Sequence, residues 1–335
     1  MIRRVLSNHP RAVETRPWLR VVEGQAAPPA SRVPFEFAPA APGGKWTLEA
    51  AYAWCEGIVA SHHENFPVAS RFVPEPLRRH VWAVYAFART ADDIADEPRW
   101  AGRRAAALEQ YDDMLISAFH GEAQHPIFLA LADTVERRDI PIVPLQDLIT
   151  GFRMDLSPRR YNTFEQLRTY TRCSAEPVGQ LLLYVFDYRD PALHRYANEI
   201  GTALELTHFL QDLPADMARD RLYLPEEDLR HFGVREEDLR RGVMTKAIRD
   251  LMRYQVARVR AIFQRGRPLA DRLGRDLAFE VDLIWQGGMT ILDQIDAADG
   301  DVFSSRPHLH ASDKLRMVAL SAARRWSLFD DLPRT

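Results

Sequence analysis

The chain has 335 residues, nearly half of them apolar, enough to bury a sizeable core in one large domain or two ordinary ones. Its formal net charge is −3 and no basic stripe is interleaved with aromatics, which argues against nucleic acid as a partner. Cys55 and Cys173 lie far apart and match no metal-ligand spacing, so a reduced, intracellular protein is expected, and no apolar run approaches the roughly eighteen residues of a membrane-spanning helix.

In chain order, residues 1–45 carry Pro10, Pro17, Pro28, Pro29, Pro34, Pro39 and Pro42 and end near Gly43-Gly44. This composition predicts a disordered or loosely attached leader. Its first part is rich in arginine and poor in acids, a faint likeness to a transit peptide, but it lacks the apolar stretch of a secretory signal. A solvated tail is the simpler reading.

From Trp46 onward apolar residues recur at three and four, as in Val81, Val84, Tyr85, Ala88 and in Ile200, Ala203, Leu204, Thr207. The spacing predicts helices over 47–63, 75–97, 100–120, 126–138, 143–155, 163–187, 191–218, 244–267, 272–299 and 311–326. Pro74, Pro76, Pro141, Pro144 and Pro191 fall near helix starts or in connections, where proline is tolerated. No alternating strand or hairpin signal appears. Residues 46–335 therefore read as a single all-α domain.

Two acidic pairs carry the chemistry. In Tyr85-Ala-Phe-Ala-Arg-Thr-Ala-Asp-Asp-Ile-Ala-Asp96, Asp92 and Asp96 are one helical turn apart, about 6 Å on one face, with Tyr85 and Arg89 extending that face backward. In Glu205-Leu-Thr-His-Phe-Leu-Gln-Asp-Leu-Pro-Ala-Asp216, Asp212 and Asp216 repeat the spacing, with Glu205 and His208 behind them and Arg221 and Tyr223 downstream. Carboxylates so placed repel each other unless a cation lies between them. From the residues alone two readings stand: solvated helix faces, or a two-sided metal–phosphate site. In the second, magnesium binds through a few carboxylates plus substrate phosphate oxygens. Arg89 and Arg221 fork onto those oxygens. The absence of a thiolate set or histidine triad disfavours zinc.

These motifs resemble the squalene/phytoene synthase family, which has two Asp-x-x-x-Asp motifs, an arginine three residues before the first and Arg-x-Tyr after the second. Tyr170-Thr-Arg-Cys-Ser-Ala-Glu-Pro-Val-Gly179 and Phe152-Arg-Met-Asp155 fit the same pattern, and the likeness covers about residues 50–305. The string Glu64-Asn-Phe-Pro-Val-Ala-Ser70 is similar to the hydroxysqualene synthase branch of hopanoid pathways, as is Ser174-Ala-Glu-Pro-Val-Gly179. The resemblance implies an isoprenoid synthase-type helical bundle around a central cavity, of the trans-isoprenyl diphosphate synthase kind. It implies several Mg²⁺ ions on Asp92, Asp96, Asp212 and Asp216. Arg89, Arg221 and Asn65 would hold diphosphate, and Tyr85, Tyr170 and Tyr223 would shape the reacting region. His208 stands where the family usually has Asn, either as a further metal ligand or as a histidine hydrogen-bonded at the site's edge. Asn65 reads equally as a helix-end residue. Other departures are Glu205 for Gln, Asp220 for Gly, Glu176 for Asn and Asp299-Gly300 for Gly-Tyr.

The implied reaction is magnesium-assisted loss of diphosphate from an allylic prenyl diphosphate, farnesyl or presqualene, giving a carbocation. The branch-level likeness favours presqualene diphosphate plus water going to hydroxysqualene. The rivals are head-to-head synthesis of presqualene diphosphate, squalene or phytoene, and a non-catalytic assembly factor. Among Phe66, Tyr85, Phe87, Tyr170, Tyr184 and Phe209, whose π faces suit a cation, Tyr85 and Tyr170 fall on motif faces. No Gly-rich dinucleotide loop appears, so no NAD(P)H requirement is expected. The apolar product predicts a cytoplasmic enzyme working at the periphery of the inner membrane, although no amphipathic anchor is evident.

Overall fold

Helices are the only regular elements among the described residues, which are 45–61, 73–157 and 160–330 of a computed structural model. The leader expected over 1–45 lies outside them except for Lys45, and so does the string 64–70 with Asn65. By contact the described chain divides into two compact units, one of residues 45–61, 76–156 and 184–186, the other of 73–75, 157, 160–183 and 187–330.

The first unit holds α1 (Leu48–Ser61), α2 (Glu75–Asp96), α3 (Arg104–Phe119), α4 (Pro126–Arg138) and α5 (Ile142–Met154). α1 packs on α4, and α3 on α4 and α5. On α2, Val81, Val84, Phe87, Ala91 and Ile94 recur at helical spacing and are all buried. Their stripe leaves Tyr85, Arg89, Asp92 and Asp96 on another face. Phe87 stacks on Tyr111 of α3 at 5.3 Å, and Tyr111 meets Phe128 of α4 at 4.8 Å. Each ring is at most 1% exposed, and burying one contributes roughly 2–3 kcal/mol. Phe87, one of the aromatics suited to a cation, is thus a core residue. Tyr111 Oη donates to the Phe87 carbonyl at 3.0 Å, which satisfies its buried hydroxyl. Beside this core Tyr52 Oη donates to Asp133 at 2.7 Å, and His80 Nδ1 lies 2.9 Å from Thr134 Oγ1.

The second unit runs through α6 (Phe164–Ser174), α7 (Glu176–Val185), α8 (Pro191–Gln211), α9 (Leu213–Ala218), α10 (Glu226–Phe232), α11 (Glu236–Arg240), α12 (Lys246–Gly266), α13 (Pro268–Asp271), α14 (Arg275–Ala297) and α15 (Ala311–Asp330). α8 and α12 form its main helix pair, and α14 packs on α8, α12, α13 and α15. The α8–α12 crossing is close because position 266 is glycine. A Cβ there would stand 2.6 Å from Ile200 Cγ1 and 3.0 Å from the Tyr196 carbonyl oxygen.

Two expected helices are divided. The segment 163–187 breaks at Ala175, two residues before Pro177, and 191–218 breaks at Asp212, two before Pro214. A proline ring clashes with the preceding turn and offers no N–H, so each helix restarts with proline in its first turn. The helices α10 and α11 have too few turns to leave a periodic signal. α10 is nonetheless anchored, since Asp228 takes both arms of Arg258, at 2.6 and 2.9 Å.

Candidate active site

In the first unit the acidic motif occupies the C-terminal end of α2. Arg89 Nη1 reaches Asp92 at 3.1 Å and Nη2 reaches Asp93 at 2.6 Å. Asp96 is exposed at the helix end. A helix C-terminus already carries partial negative charge, and the last turn of α2 contains no basic residue. Asp92, Asp93 and Asp96 make this end of the helix negative, with Arg89 against the first two and Arg104 donating to the Asp96 carbonyl at 3.0 Å, and their oxygens suit a hard divalent cation. Tyr85 is half-buried, and burial pushes its phenol pKa up.

In the second unit the corresponding motif straddles a junction. Asp212 is non-helical, with φ −102° and ψ 11°, and serves both as the C-cap of α8 and the N-cap of α9. Its backbone N–H still donates to the His208 carbonyl at 2.8 Å, and the Asp216 N–H donates to the Asp212 carbonyl at 2.9 Å. The pair therefore keeps its one-turn spacing across the break. The Asp212 carboxylate takes both arms of Arg306, through Nε and, at 3.0 Å, through Nη2. Asp216 has its pKa pushed up to about 6, first by burial and then by repulsion from Asp212, with Arg221 opposing. A carboxyl whose ionisation is hindered by burial and by a neighbouring carboxylate fits a divalent cation, which would lower its pKa.

Arg221 is half-buried one turn beyond, its N–H bonded to the Asp216 carbonyl at 2.9 Å. Asp220 before it has φ 58°, the left-handed conformation that explains why glycine is usual there. Aspartate tolerates that conformation, and here its carboxylate is held by Arg160 at 2.7 Å and Arg240 at 2.8 Å. Asp299, the other departure at a glycine position, is likewise left-handed at φ 51°.

The aromatic residues gather beside this junction. Tyr170 and Tyr223, predicted from separate motifs, meet at 5.8 Å. Phe209 stacks on Tyr223 at 3.8 Å and 5°, and Tyr161 lies 5.9 Å from Tyr170 and 6.0 Å from Tyr223. All four are buried. Their faces form an apolar, electron-rich surface of the kind that stabilises a carbocation without attacking it.

His208 is 60% exposed, and its Nδ1 lies 3.9 Å from Glu205, whose carboxylate raises the imidazole pKa. Glu205 also accepts from Ser174 Oγ at 3.1 Å. Glu176 is buried, accepts from Thr202 Oγ1 at 2.9 Å, and has its pKa raised by burial. Among the described residues no three His, Cys, Asp or Glu side chains converge on one point, so the protein's own oxygen donors come as pairs.

The predicted residues thus fall into two sets. Tyr85, Arg89, Asp92 and Asp96 stand together on α2, while Tyr170, His208, Asp212, Asp216, Arg221 and Tyr223 belong to the second unit. Arg306, Tyr161 and Asp93 are additions. Arg306 lies ninety-four residues from its partner, beyond any local spacing signal. Asp93 was visible in the motif string itself.

The model of the squalene/phytoene synthase family matches residues 59–313. A phytoene synthase of Arthrospira platensis is 32% identical over 291 residues, which cover 83% of this chain and 94% of the relative. The solved squalene synthase HpnC of Alicyclobacillus acidocaldarius is 39% identical with a TM-score of 0.73, covering 75% of this chain and 95% of that one. A dehydrosqualene synthase solved with a ligand aligns at a TM-score of 0.74 over 84% of this chain and 98% of its own, and at 23% identity it shows the shared fold alone.

Proposed function

Because the chain belongs to the squalene/phytoene synthase family, whose members process prenyl diphosphates, we propose that it converts presqualene diphosphate and water to hydroxysqualene and diphosphate in squalene and hopanoid biosynthesis. The observation that carries this reading is the junction at Asp212. Around it gather a repelling carboxylate pair, two arginines and a buried four-ring surface, drawn from segments far apart in sequence. Such a site can hold a diphosphate through a cation on one side and shelter a developing carbocation on the other. The 39% identity to HpnC supports the branch.

We assign Asp92, Asp96, Asp212 and Asp216 as ligands for Mg²⁺ and Arg89 and Arg221 as diphosphate-binding residues. When bound, magnesium neutralises negative charge on the departing diphosphate. Arg89 now neutralises Asp92 and Asp93, so a bound cation would release its arms for phosphate oxygens. Tyr170 and Tyr223, with Phe209 and Tyr161, face the cation's carbon skeleton, and Tyr85 shapes the first motif's side. His208 is the weaker candidate ligand, since coordination needs neutral imidazole and Glu205 favours the imidazolium. The reaction consumes water and no nicotinamide reductant. Burying a prenyl chain of fifteen carbons from water supplies on the order of 10 kcal/mol of gross binding energy.

Among the described residues no helix is long and apolar enough to cross a membrane. α15 exposes Leu315 (73%), Val318 (45%) and Leu320 (50%) beside Lys314 and Arg316. We place this helix against the cytoplasmic face of the inner membrane, where the apolar product would leave.

The phytoene synthase relatives favour a second reading, head-to-head condensation of two prenyl diphosphates. Supplying presqualene diphosphate and farnesyl diphosphate separately, with Mg²⁺, and identifying products by mass spectrometry decides between them. The proposal expects hydroxysqualene from presqualene diphosphate. Presqualene diphosphate, squalene or phytoene accumulating from simple prenyl diphosphates would favour the second reading.

A further inference from the structure

The turn between Asp216 and Tyr223 carries an ion network that the site described above does not use. Asp220 lies in it with φ 58°, a conformation that glycine adopts freely and a residue with a Cβ adopts only at a cost. What aspartate gains there over glycine is a carboxylate. Arg160 Nη2 donates to Asp220 Oδ1 at 2.7 Å and its Nη1 to the Asp220 carbonyl at 2.8 Å, so one guanidinium holds both the side chain and the backbone of that residue. Arg240 adds a bond to Asp220 Oδ1 at 2.8 Å and another to the Met217 carbonyl at 3.2 Å. Glu236 accepts from Arg160 Nε at 3.0 Å and Nη2 at 2.8 Å and from Arg240 Nη2 at 2.6 Å, which fixes both guanidinium planes.

These bonds lie between residues already placed in the site. Before the turn, the Asp216 carbonyl accepts from the Arg219 N–H at 3.0 Å and from the Arg221 N–H at 2.9 Å. After it, Leu222, Tyr223 and Leu224 are buried. The chain is therefore fixed at both ends, and Asp220 sets the path between them. The residue after Arg160 is Tyr161, whose ring stacks on Tyr223 at 6.0 Å. The Tyr161 carbonyl accepts from the Glu226 N–H at 2.8 Å and the Asn162 carbonyl from the Glu227 N–H at 3.0 Å. Segments 160–162 and 220–227 are thus joined at three successive points, and the Arg160–Asp220 pair is the one beside Arg221. The Asp220 side chain is 62% exposed, and ion pairs so exposed contribute little to stability. The network is better suited to fixing the path of the turn than to holding the fold.

We propose that Asp220 and Arg160 are positioning residues that hold Arg221 where it meets the diphosphate, an inference that rests on the assignment of Arg221 above. Arg221 follows Asp220 in the chain, so rotation of the backbone at 220 swings the Arg221 side chain away. With the carbonyl and the carboxylate of Asp220 both on Arg160, that rotation is blocked before substrate arrives, and diphosphate binding need not order the turn. Glycine at 220 would keep the left-handed turn accessible but leave the rotation free.

The test uses the full chain with Mg²⁺ and inorganic diphosphate, whose dissociation constant is read by calorimetry. The proteins are wild type, Asp220→Gly, Arg160→Gln, Arg221→Ala and the two double variants that add Arg221→Ala. Glycine suits φ 58° and Arg160 is partly exposed, so near-native melting is expected. The proposal predicts that Asp220→Gly and Arg160→Gln each weaken diphosphate binding at least about fivefold, and that neither weakens it further once Arg221 is alanine. Unchanged affinity in either folded variant overturns it. So does an equal loss with and without Arg221, because the network would then act on the fold and not through that side chain. If Arg221→Ala alone binds diphosphate as tightly as wild type, the assignment of Arg221 fails and this role with it, an outcome distinct from unchanged affinity in the Asp220 and Arg160 variants.

Discussion

One carboxylate, Asp212, receives both arms of Arg306, while its neighbour Asp216 is held close to protonation by burial. In the proposed metal site Asp216 would meet most of the cation's charge and Asp212 would serve as the anchor. Asp92→Asn and Asp212→Asn are each expected to lower magnesium-dependent diphosphate release by about a hundredfold or more, with circular dichroism unchanged. Unaltered turnover in either would remove that motif from the metal site. His80 supplies a pH dependence. It is 1% exposed, and burial first, then Arg138, Arg79 and Arg137, lower its pKa from 6.5 to about 4, against Asp133. The unfolded chain therefore binds this proton more readily, so the stability His80 contributes is present above pH 6.5 and is lost as pH falls toward 4. The loss is about 3 kcal/mol at most. Urea unfolding at pH 7.5 and 4.5 should show His80→Asn losing less stability on acidification than wild type; equal losses would contradict this. The four aspartates, Arg89, Arg221, Tyr170 and Tyr223 were legible because each lies within a turn or two of another motif residue. Arg306 and Tyr161 were not, because their surroundings come from segments remote in sequence.

At the scale of elements, α8 and α12 approach closely only because Gly266 lacks a side chain, whereas Gly57 on α1 has nothing within 4 Å of an added Cβ. Gly266→Ala is expected to destabilise by about 1–3 kcal/mol through overpacking, and Gly57→Ala to stabilise by about 0.5–1 kcal/mol through helix propensity. The opposite order in chemical denaturation would contradict the described crossing. The ring cluster makes a separate prediction. Phe209→Leu keeps apolar volume but removes the 3.8 Å stack on Tyr223. It should lower kcat several-fold with little change in substrate KM, because cation stabilisation arises after binding. A KM change alone would make the cluster a binding wall. Apolar periodicity revealed the long helices, including the boundaries of α4, but not the breaks at Ala175 and Asp212. There Pro177 and Pro214 override a pattern that continues across them. α10 and α11 escaped notice because ion pairs such as Asp228–Arg258, rather than an apolar stripe, hold them.

For the whole molecule, the all-α class and the family follow from a chain without strand signals whose motifs occur in family order, and the match over residues 59–313 agrees. The choice among family reactions depends on how a cation ends, by water, by proton loss or by a second prenyl group, and no motif spacing records that ending. The most direct test is to incubate the full chain with presqualene diphosphate and Mg²⁺ in ¹⁸O-enriched water and weigh the product. Hydroxysqualene carrying one ¹⁸O atom is the predicted result. Unlabelled hydrocarbon as the sole product, or no consumption of presqualene diphosphate, would contradict the account.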